Sequence, residues 1–507
     1  MSIKCIVSHS KVELLALQDS RIQTMRHPAQ VTAYIKEQQT MALAGVRGHQ
    51  PYQALLSFYA SMEHLCSVAG PLLNNISLSA IITATAQLWT SAQANSSFKP
   101  SANSAAFELN RFYYNILHQL QPMPSDVGAQ SVSNILWSSA KLRLNPDAFV
   151  PGMTDALAAK LLQLTRGEGR RQPSAQSCAI FLWALATLGH QLADKGLVDA
   201  VCSRFAMHIK HHDESQRPNA QEAANVVWAV ATLGHEPADK GLVDAVCKHF
   251  AMLTKHHDVF KRPSAQRAAN VMWALGKMNH TPQASVAVDI LEHFMVFCGL
   301  PRQAPNAQEL SNILYACAML RLKVTEHFQL ALVDGLLRLD RSSGYKQDYC
   351  NAAWSLAVSG VLSSEMFLAL LEHLQPLPTA DPAHVALTSQ DLSQLYQALD
   401  FLHPLPMAAA QQLQEMVARL GPFPLPDERS AADLSSNEHL CAALGQLGLA
   451  FSANVPLSGY QAAAVLQPRD SVTVPVVLVT KAVDHFRNQH HRCVFFLCPL
   501  YITAMYG

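Results

Sequence analysis

Between residues 125 and 400, apolar residues recur at intervals of three and four, the spacing of one helix face, in blocks separated by short polar stretches. The blocks resemble one another. Each centres on an aromatic residue: SVSNILWSSAKL at Trp137, SCAIFLWALATL at Trp183, EAANVVWAVATL at Trp228, RAANVMWALGKM at Trp273, ELSNILYACAML at Tyr315 and DYCNAAWSLAVS at Trp354. A weaker copy, DLSQLYQAL, holds Tyr396, and a degenerate earlier one is read in residues 76–89. Successive anchors lie 46, 45, 45, 42, 39 and 42 residues apart.

Each unit predicts two helices. The first opens where Pro is followed by Ser or Asn, at Ser174, Asn219, Ser264 and Asn306, all good N-caps. Asn219 with Glu222, and Asn306 with Glu309, have capping-box spacing. This helix stops at Gly189 or Gly234, where a left-handed cap suits glycine. A second helix follows, as in DKGLVDAVCKHFAML. One helical pair cannot bury its apolar faces alone, but stacked pairs can. The expectation is a mainly α chain: an α-solenoid of stacked helical-pair repeats over residues 111–425, seven or eight pairs, after a helical N-terminal region over residues 1–110. Beyond residue 450 the pattern turns β-rich. Residues 472–479 read as a strand, with Pro475 marking an edge or bulge.

Positions within the unit are counted from the anchor aromatic. Seven before it stands Gln: Gln130, Gln176, Gln221, Gln266, Gln308 and Gln347. Three before it stands Asn: Asn134, Asn225, Asn270, Asn312 and Asn351, with Ile180 the exception. These spacings put Gln, Asn and aromatic on one helical stripe. Amides can bond base edges, or bridge buried backbone groups. The unchanging Asn favours a structural role, and the anchors Trp137, Trp183, Trp228, Trp273, Tyr315 and Trp354 read as core. Six before the anchor the residue varies but stays polar: Ser131, Ser177, Glu222, Arg267, Glu309 and Asp348. Variation is what a base-reading position requires, and an ordinary solvated first turn also permits it. The position four before is always small. His211-His212 and His256-His257 close second helices. Adjacent side chains on a helix diverge, which argues against a metal site. Lys210 and Lys255, beside these pairs, are candidates to line one edge.

Charge changes the picture little. The chain of 507 residues is half hydrophobic and 15% charged, with zero formal net charge, so any nucleic-acid role rests on a local patch. Over residues 171–283, twelve Lys and Arg face nine Asp and Glu. That small excess permits phosphate contact without requiring it. Eleven scattered Cys with no CxxC read as reduced thiols, with no metal site or cofactor. No apolar run reaches transmembrane length. The first residues, with Lys4, Lys11, Arg21 and Arg26 but also Glu13 and Asp19, make neither a signal peptide nor a good transit peptide. No phosphate-cradling GxxxxGK[ST], HExxH or GxSxG is present, so the expectation is a binding protein and not an enzyme.

The segment SGYQAAAVL…VTVPVVLVTKAVDHFRNQHHR resembles the start of a RAP domain through Gly459-Tyr460, the following strand and His485-Phe486-Arg487-Asn488. The Trp-anchored units resemble octotricopeptide repeats and the helical repeats of the FAST-kinase-like family. Together the resemblances cover roughly residues 125–490. They imply a small α/β module over residues 440–507 and an RNA-binding factor of chloroplast or mitochondrion. Such a factor acts in RNA processing, stability or translation, with single-stranded RNA and other RNA-processing proteins as partners. At one base per repeat, seven units read about seven nucleotides. RAP domains resemble a restriction-endonuclease fold, yet the family's acidic positions are Ala463, Val479 and Lys481 here, with Asp470 and Asp484 off-pattern. Metal-dependent cleavage needs carboxylates, so a nuclease is not expected. The module lacks the closing helix and strands of that pattern, and a truncated domain is expected. An armadillo- or HEAT-like protein-interaction scaffold is the rival reading.

Overall fold

The computed structural model describes residues 20–402, apart from residues 49, 96–97, 99–103, 122–126, 168–171, 191–195, 240, 341–345 and 375–386; beyond them it describes residues 415, 417, 451–457, 460–466 and 476–478. The chain divides into two compact units, residues 1–249 and 250–507.

The first unit contains α1 (Ser20–Thr24), α2 (Pro28–Arg47), α3 (Pro51–Val68), α4 (Asn75–Gln93), α5 (Ser104–His118), α6 (Ala129–Leu142), α7 (Met153–Arg166), α8 (Ala175–Leu188), α9 (Gly196–Ile209) and α10 (Ala220–Leu233). The helix α11 (Leu242–Thr254) holds the division point. Alternate helices α2, α4, α6, α8 and α10 pack side by side as one layer, and α7 and α9 form a second layer behind it. The expected boundary near residue 110 falls inside α5, and the layered packing runs through it, from α4 to α6. The second unit repeats the plan. Helices α12 (Ala265–Met278), α14 (Ala307–Met319), α16 (Lys346–Val358) and α18 (Ser389–Phe401) form a layer backed by α13 (Ala284–Cys298), α15 (Glu326–Leu337) and α17 (Ser364–Leu374). Both units are stacked helical pairs of the α-solenoid class.

Local chemistry sets the helix ends. Asn219 and Asn306 complete capping boxes with Glu222 and Glu309, while the Ser174 hydroxyl accepts from the Ser177 N–H. Gly189 (φ 63°) and Gly234 (φ 61°) end α8 and α10 in the left-handed region, and Arg143 and Asn279 do so for α6 and α12. The layer is thin because small residues face each other. The positions four before and three after the anchor share one buried stripe, exemplified by Ala179 and Ala186 on α8 and by Ala269 and Gly276 on α12. A Cβ at Gly276 would stand 3.1 Å from the Ala316 Cα, so the approach of α14 requires glycine or a shift of its backbone.

A second device ties each of three successive pairs together. The residue before a buried Phe on the second helix grips the carbonyl of the Pro that precedes the first helix. Arg204 Nε donates to Pro173 O (3.3 Å), His249 Nε2 bonds Pro218 O (2.7 Å) and His293 Nε2 bonds Pro263 O (2.8 Å). His208 adds a second bond to Pro173 O (3.0 Å). Burial lowers the pKa of His208, His249 and His293 from the ordinary 6.5, which keeps the imidazoles neutral as donors. The neighbouring Phe205, Phe250 and Phe294 are fully buried.

The C-terminal strands β1 (Phe451–Leu457), β2 (Tyr460–Leu466) and β3 (Val476–Leu478) form an antiparallel sheet in the order β1-β2-β3. The expected strand at residues 472–479 is thus met over Val476–Leu478. The remaining RAP-like positions, Gly459, Asp470, Val479, Lys481, Asp484 and His485 to Asn488, lie outside the described residues.

Candidate RNA-binding face

On the first helices the stripe defined by Gln, Asn and aromatic points away from the second layer. All six Gln residues, Gln130, Gln176, Gln221, Gln266, Gln308 and Gln347, are exposed. Asn134, Asn225, Asn270, Asn312 and Asn351 are half-buried, as is Ile180 in the odd copy. So are Trp137, Trp183, Trp228, Trp273, Tyr315 and Trp354, which corrects the reading of these anchors as core. A large ring at the layer surface sinks one edge between neighbouring helices and keeps the rest accessible.

The Asn amides split into two cases. The Asn351 Oδ1 accepts from Gln394 Nε2 (2.8 Å), and beside it Trp354 Nε1 donates to Gln397 Oε1 (2.9 Å), so this copy does brace its neighbour. Asn134, Asn225, Asn270 and Asn312 make no side-chain hydrogen bond among the described residues. Their donors and acceptors stay available, which a bracing role would not leave.

The position six before the anchor turns the other way. Ser131, Ser177 and Asp348 are buried, and Glu222, Arg267 and Glu309 are half-buried. It meets the small residue four before the anchor of the preceding unit: Ser133 Oγ donates to Ser177 O (2.9 Å), and Ser311 Oγ to Asp348 Oδ1 (3.3 Å). Glu222 and Glu309 accept the N–H of their own N-caps (3.0 and 3.1 Å). The variable position is therefore a contact between units and not a reading position. Its variation reflects several polar residues that all satisfy a first turn. One effect matters for charge: carboxylates near the face are held in caps and contacts.

A position not singled out from the sequence completes the stripe, four after the anchor. Lys141 Nζ lies 5.9 Å from the Trp137 ring centre and 5.1 Å from that of Trp183 on the next helix. Lys277 Nζ lies 4.9 Å above Trp273, and burial lowers its pKa from the ordinary value. Both are cation–π distances. Tyr315 and Trp354 stand 6.2 Å apart, tilted by 33°. The signal was available: adding four to the anchor stays on the same helical stripe. Of the edge candidates, Lys210 is exposed, but Lys255 pairs with Asp289 on α13 (2.7 Å).

The adjacent His pairs do not diverge as expected. The helices end at Ile209 and Thr254, so both pairs sit in the following turns with rings stacked, 4.5 Å apart for His211 and His212 and 4.3 Å for His256 and His257. No group of three His, Cys, Asp or Glu able to hold a metal ion occurs among the described residues. Cys178, Cys247 and Cys317 are buried free thiols whose pKa burial pushes up to about 12, leaving them protonated and unreactive. No helix among the described residues is long and apolar enough to cross a membrane.

Fold and face together define a helical-repeat protein of the α-solenoid class with a polar–aromatic stripe along its first helices. No protein-family model matches the chain, and no curated protein matches its sequence.

Proposed function

We propose that the first-helix layer binds single-stranded RNA, and that the protein acts without catalysis in RNA processing, stability or translation in a chloroplast or mitochondrion. The observation that carries the reading is the recurrence of Asn amides without side-chain bonds, at Asn134, Asn225, Asn270 and Asn312, beside half-exposed aromatic rings. Half-exposed rings offer stacking platforms for bases of any sequence, worth about 1–3 kcal/mol each. The amides of Asn134, Asn225, Asn270 and Asn312, and the exposed Gln side chains, offer paired donors and acceptors to base edges. Lys141 and Lys277 supply cations beside the rings, where a phosphate passing a stacked base would lie. With the nearby carboxylates locked in caps, a chain of zero net charge still presents a surface suited to an anion. The organellar setting, and the RNA-processing proteins as further partners, rest on the resemblance to octotricopeptide repeats and a RAP domain.

The test is filter binding of the full chain to a random single-stranded RNA pool at about 50 and about 200 mM salt, with the bound fraction sequenced. Enrichment of a short motif, with affinity falling as salt rises, is expected. Absence of binding at the lower salt overturns the reading.

One observation favours a protein-interaction scaffold instead: Met207, Met252, Val288 and Val296 expose apolar side chains on second helices. Such a scaffold would use the second layer, and the RNA experiment separates the two.

A further inference from the structure

The units beginning at Ser174 and Asn219 supply an internal control for the turn that leads out of each. The turns share a frame. Asp213 Oδ1 accepts the Ser215 N–H and Asp258 Oδ1 the Phe260 N–H, both at 2.9 Å. Arg217 Nε donates to His211 O (2.8 Å) and Arg262 Nε to His256 O (2.7 Å). Asp213 N and Asp258 N donate to the Nδ1 of His211 and His256. Both form one turn of 3-10 helix and run into a buried Pro. Only the tips differ: Glu214-Ser215-Gln216 in one, Val259-Phe260-Lys261 in the other. Phe260 is 93% exposed and Val259 59%.

The fold does not need an aromatic there, because the polar tip makes the same turn with the same bonds. An aromatic left almost wholly in water, where its sibling is polar, contributes nothing to packing within the chain and stays available to a partner. The substitution also changes charge: a carboxylate is lost and a lysine gained. That pairing suits an anionic partner with a flat apolar face. His257 and Lys261 are exposed beside the ring, and the one carboxylate of the turn, Asp258, is occupied as the cap. A lipid surface fits poorly, since one Phe and one Val bury too little apolar area for stable anchoring. The chain continues from this turn through Pro263 into α12, whose first turn carries the exposed Gln266 of the amide stripe.

We infer that Phe260 and Lys261 form a base-stacking tip that holds one nucleotide of a single-stranded RNA at the edge of the first-helix face, Phe260 under the base and Lys261 at its phosphate. The inference rests on the RNA reading proposed above and adds a contact outside the repeat stripe.

The test exchanges the tips in the full chain. Val259→Glu, Phe260→Ser and Lys261→Gln together write the sibling's residues into the same frame, and a thermal melt checks that stability is kept. Fluorescence anisotropy with a labelled single-stranded RNA of random sequence should show affinity about tenfold weaker, or about 1.4 kcal/mol, within the range for one stacked base. Phe260→Leu should lose most of that affinity, and Lys261→Gln should flatten the salt dependence by about one ion. The reverse exchange at residues 214–216 should strengthen binding. If the wild-type chain binds RNA and the exchanged chain binds equally well, the inference is wrong while the RNA reading stands. If Phe260→Leu binds as wild type, the contact is apolar and not stacking, and the inference fails. If the wild type binds no RNA, both fall. Loss of co-sedimentation with anionic vesicles, without change in RNA affinity, would assign the tip to a membrane and overturn the inference.

Discussion

The units starting at Ser174 and Asn219 agree at 27 of 40 residues, and what they share differs in kind from what they vary. They share the anchor Trp, the Gly that ends the first helix, the buried Phe and Cys of the second, and the Asp turn. The Gly ends a helix, the Phe and Cys face into the stack and the Asp caps a turn, while the Trp lies half-buried on the open stripe. They vary at Ile180 against Asn225 on the open stripe, at Arg204 against His249 on the proline carbonyl, and at the turn tip just beyond. The first helix also varies inside, where Phe181, Leu182 and Leu185 stand against Val226, Val227 and Val230, all buried. The comparison teaches that only the exposed differences, which packing does not demand, point to differences in binding between copies.

The largest expected effect tests whether the shared frame is equivalent in the two copies. Phe205→Ala and Phe250→Ala each leave a cavity under the proline grip and should cost about 3–5 kcal/mol, read as lowered urea midpoints. Unequal losses would show that near-identity hides different packing. Next comes the stripe. Trp228→Ala should weaken RNA binding by about tenfold, as loss of one stacked base predicts. Ile180→Asn should leave stability unchanged and alter the selected motif at one position only, measured by sequencing the bound pool. A smaller effect is expected at the caps: Asn219→Ala removes a capping box and should cost about 1 kcal/mol in thermal unfolding. The last concerns pH. Burial depresses the folded pKa of His249, so its contribution is complete above the ordinary 6.5 and is lost as pH falls through the folded value. His249→Arg writes the sibling's group, which does not titrate in this range, and should make the urea midpoint less sensitive to acid.

Much of the frame was legible from residues. Pro-Ser and Pro-Asn starts, glycine stops and small residues four before the anchor reported helix pairs and their close approach, because caps and steric limits act locally. The stripe of Gln, Asn and aromatic was legible as a stripe, but its direction was not. Recurrence is expected of a packed position and of a binding ladder alike, and Trp has enough apolar area to be assigned inward. Ser131, Ser177 and Asp348 were read either as base-reading positions or as a solvated first turn, and they are neither, because a neighbouring helix buries them. The stacked His pairs were misjudged because the helix ends one or two residues before them. Lys141 bridging Trp137 and Trp183 depends on distance between helices, which no single-helix periodicity contains.

The proline grip has a consequence for how such a chain changes over generations. Because Arg204, His208, His249 and His293 each bind the carbonyl that opens their own pair, these three successive pairs each close on themselves as a cassette. Unequal recombination between the near-identical stretches can therefore add or delete one whole cassette, with each end meeting the same kind of neighbour. The length of the array is free to drift by integers, since an exchange at matching positions inside two cassettes still leaves each product with a proline and a grip residue.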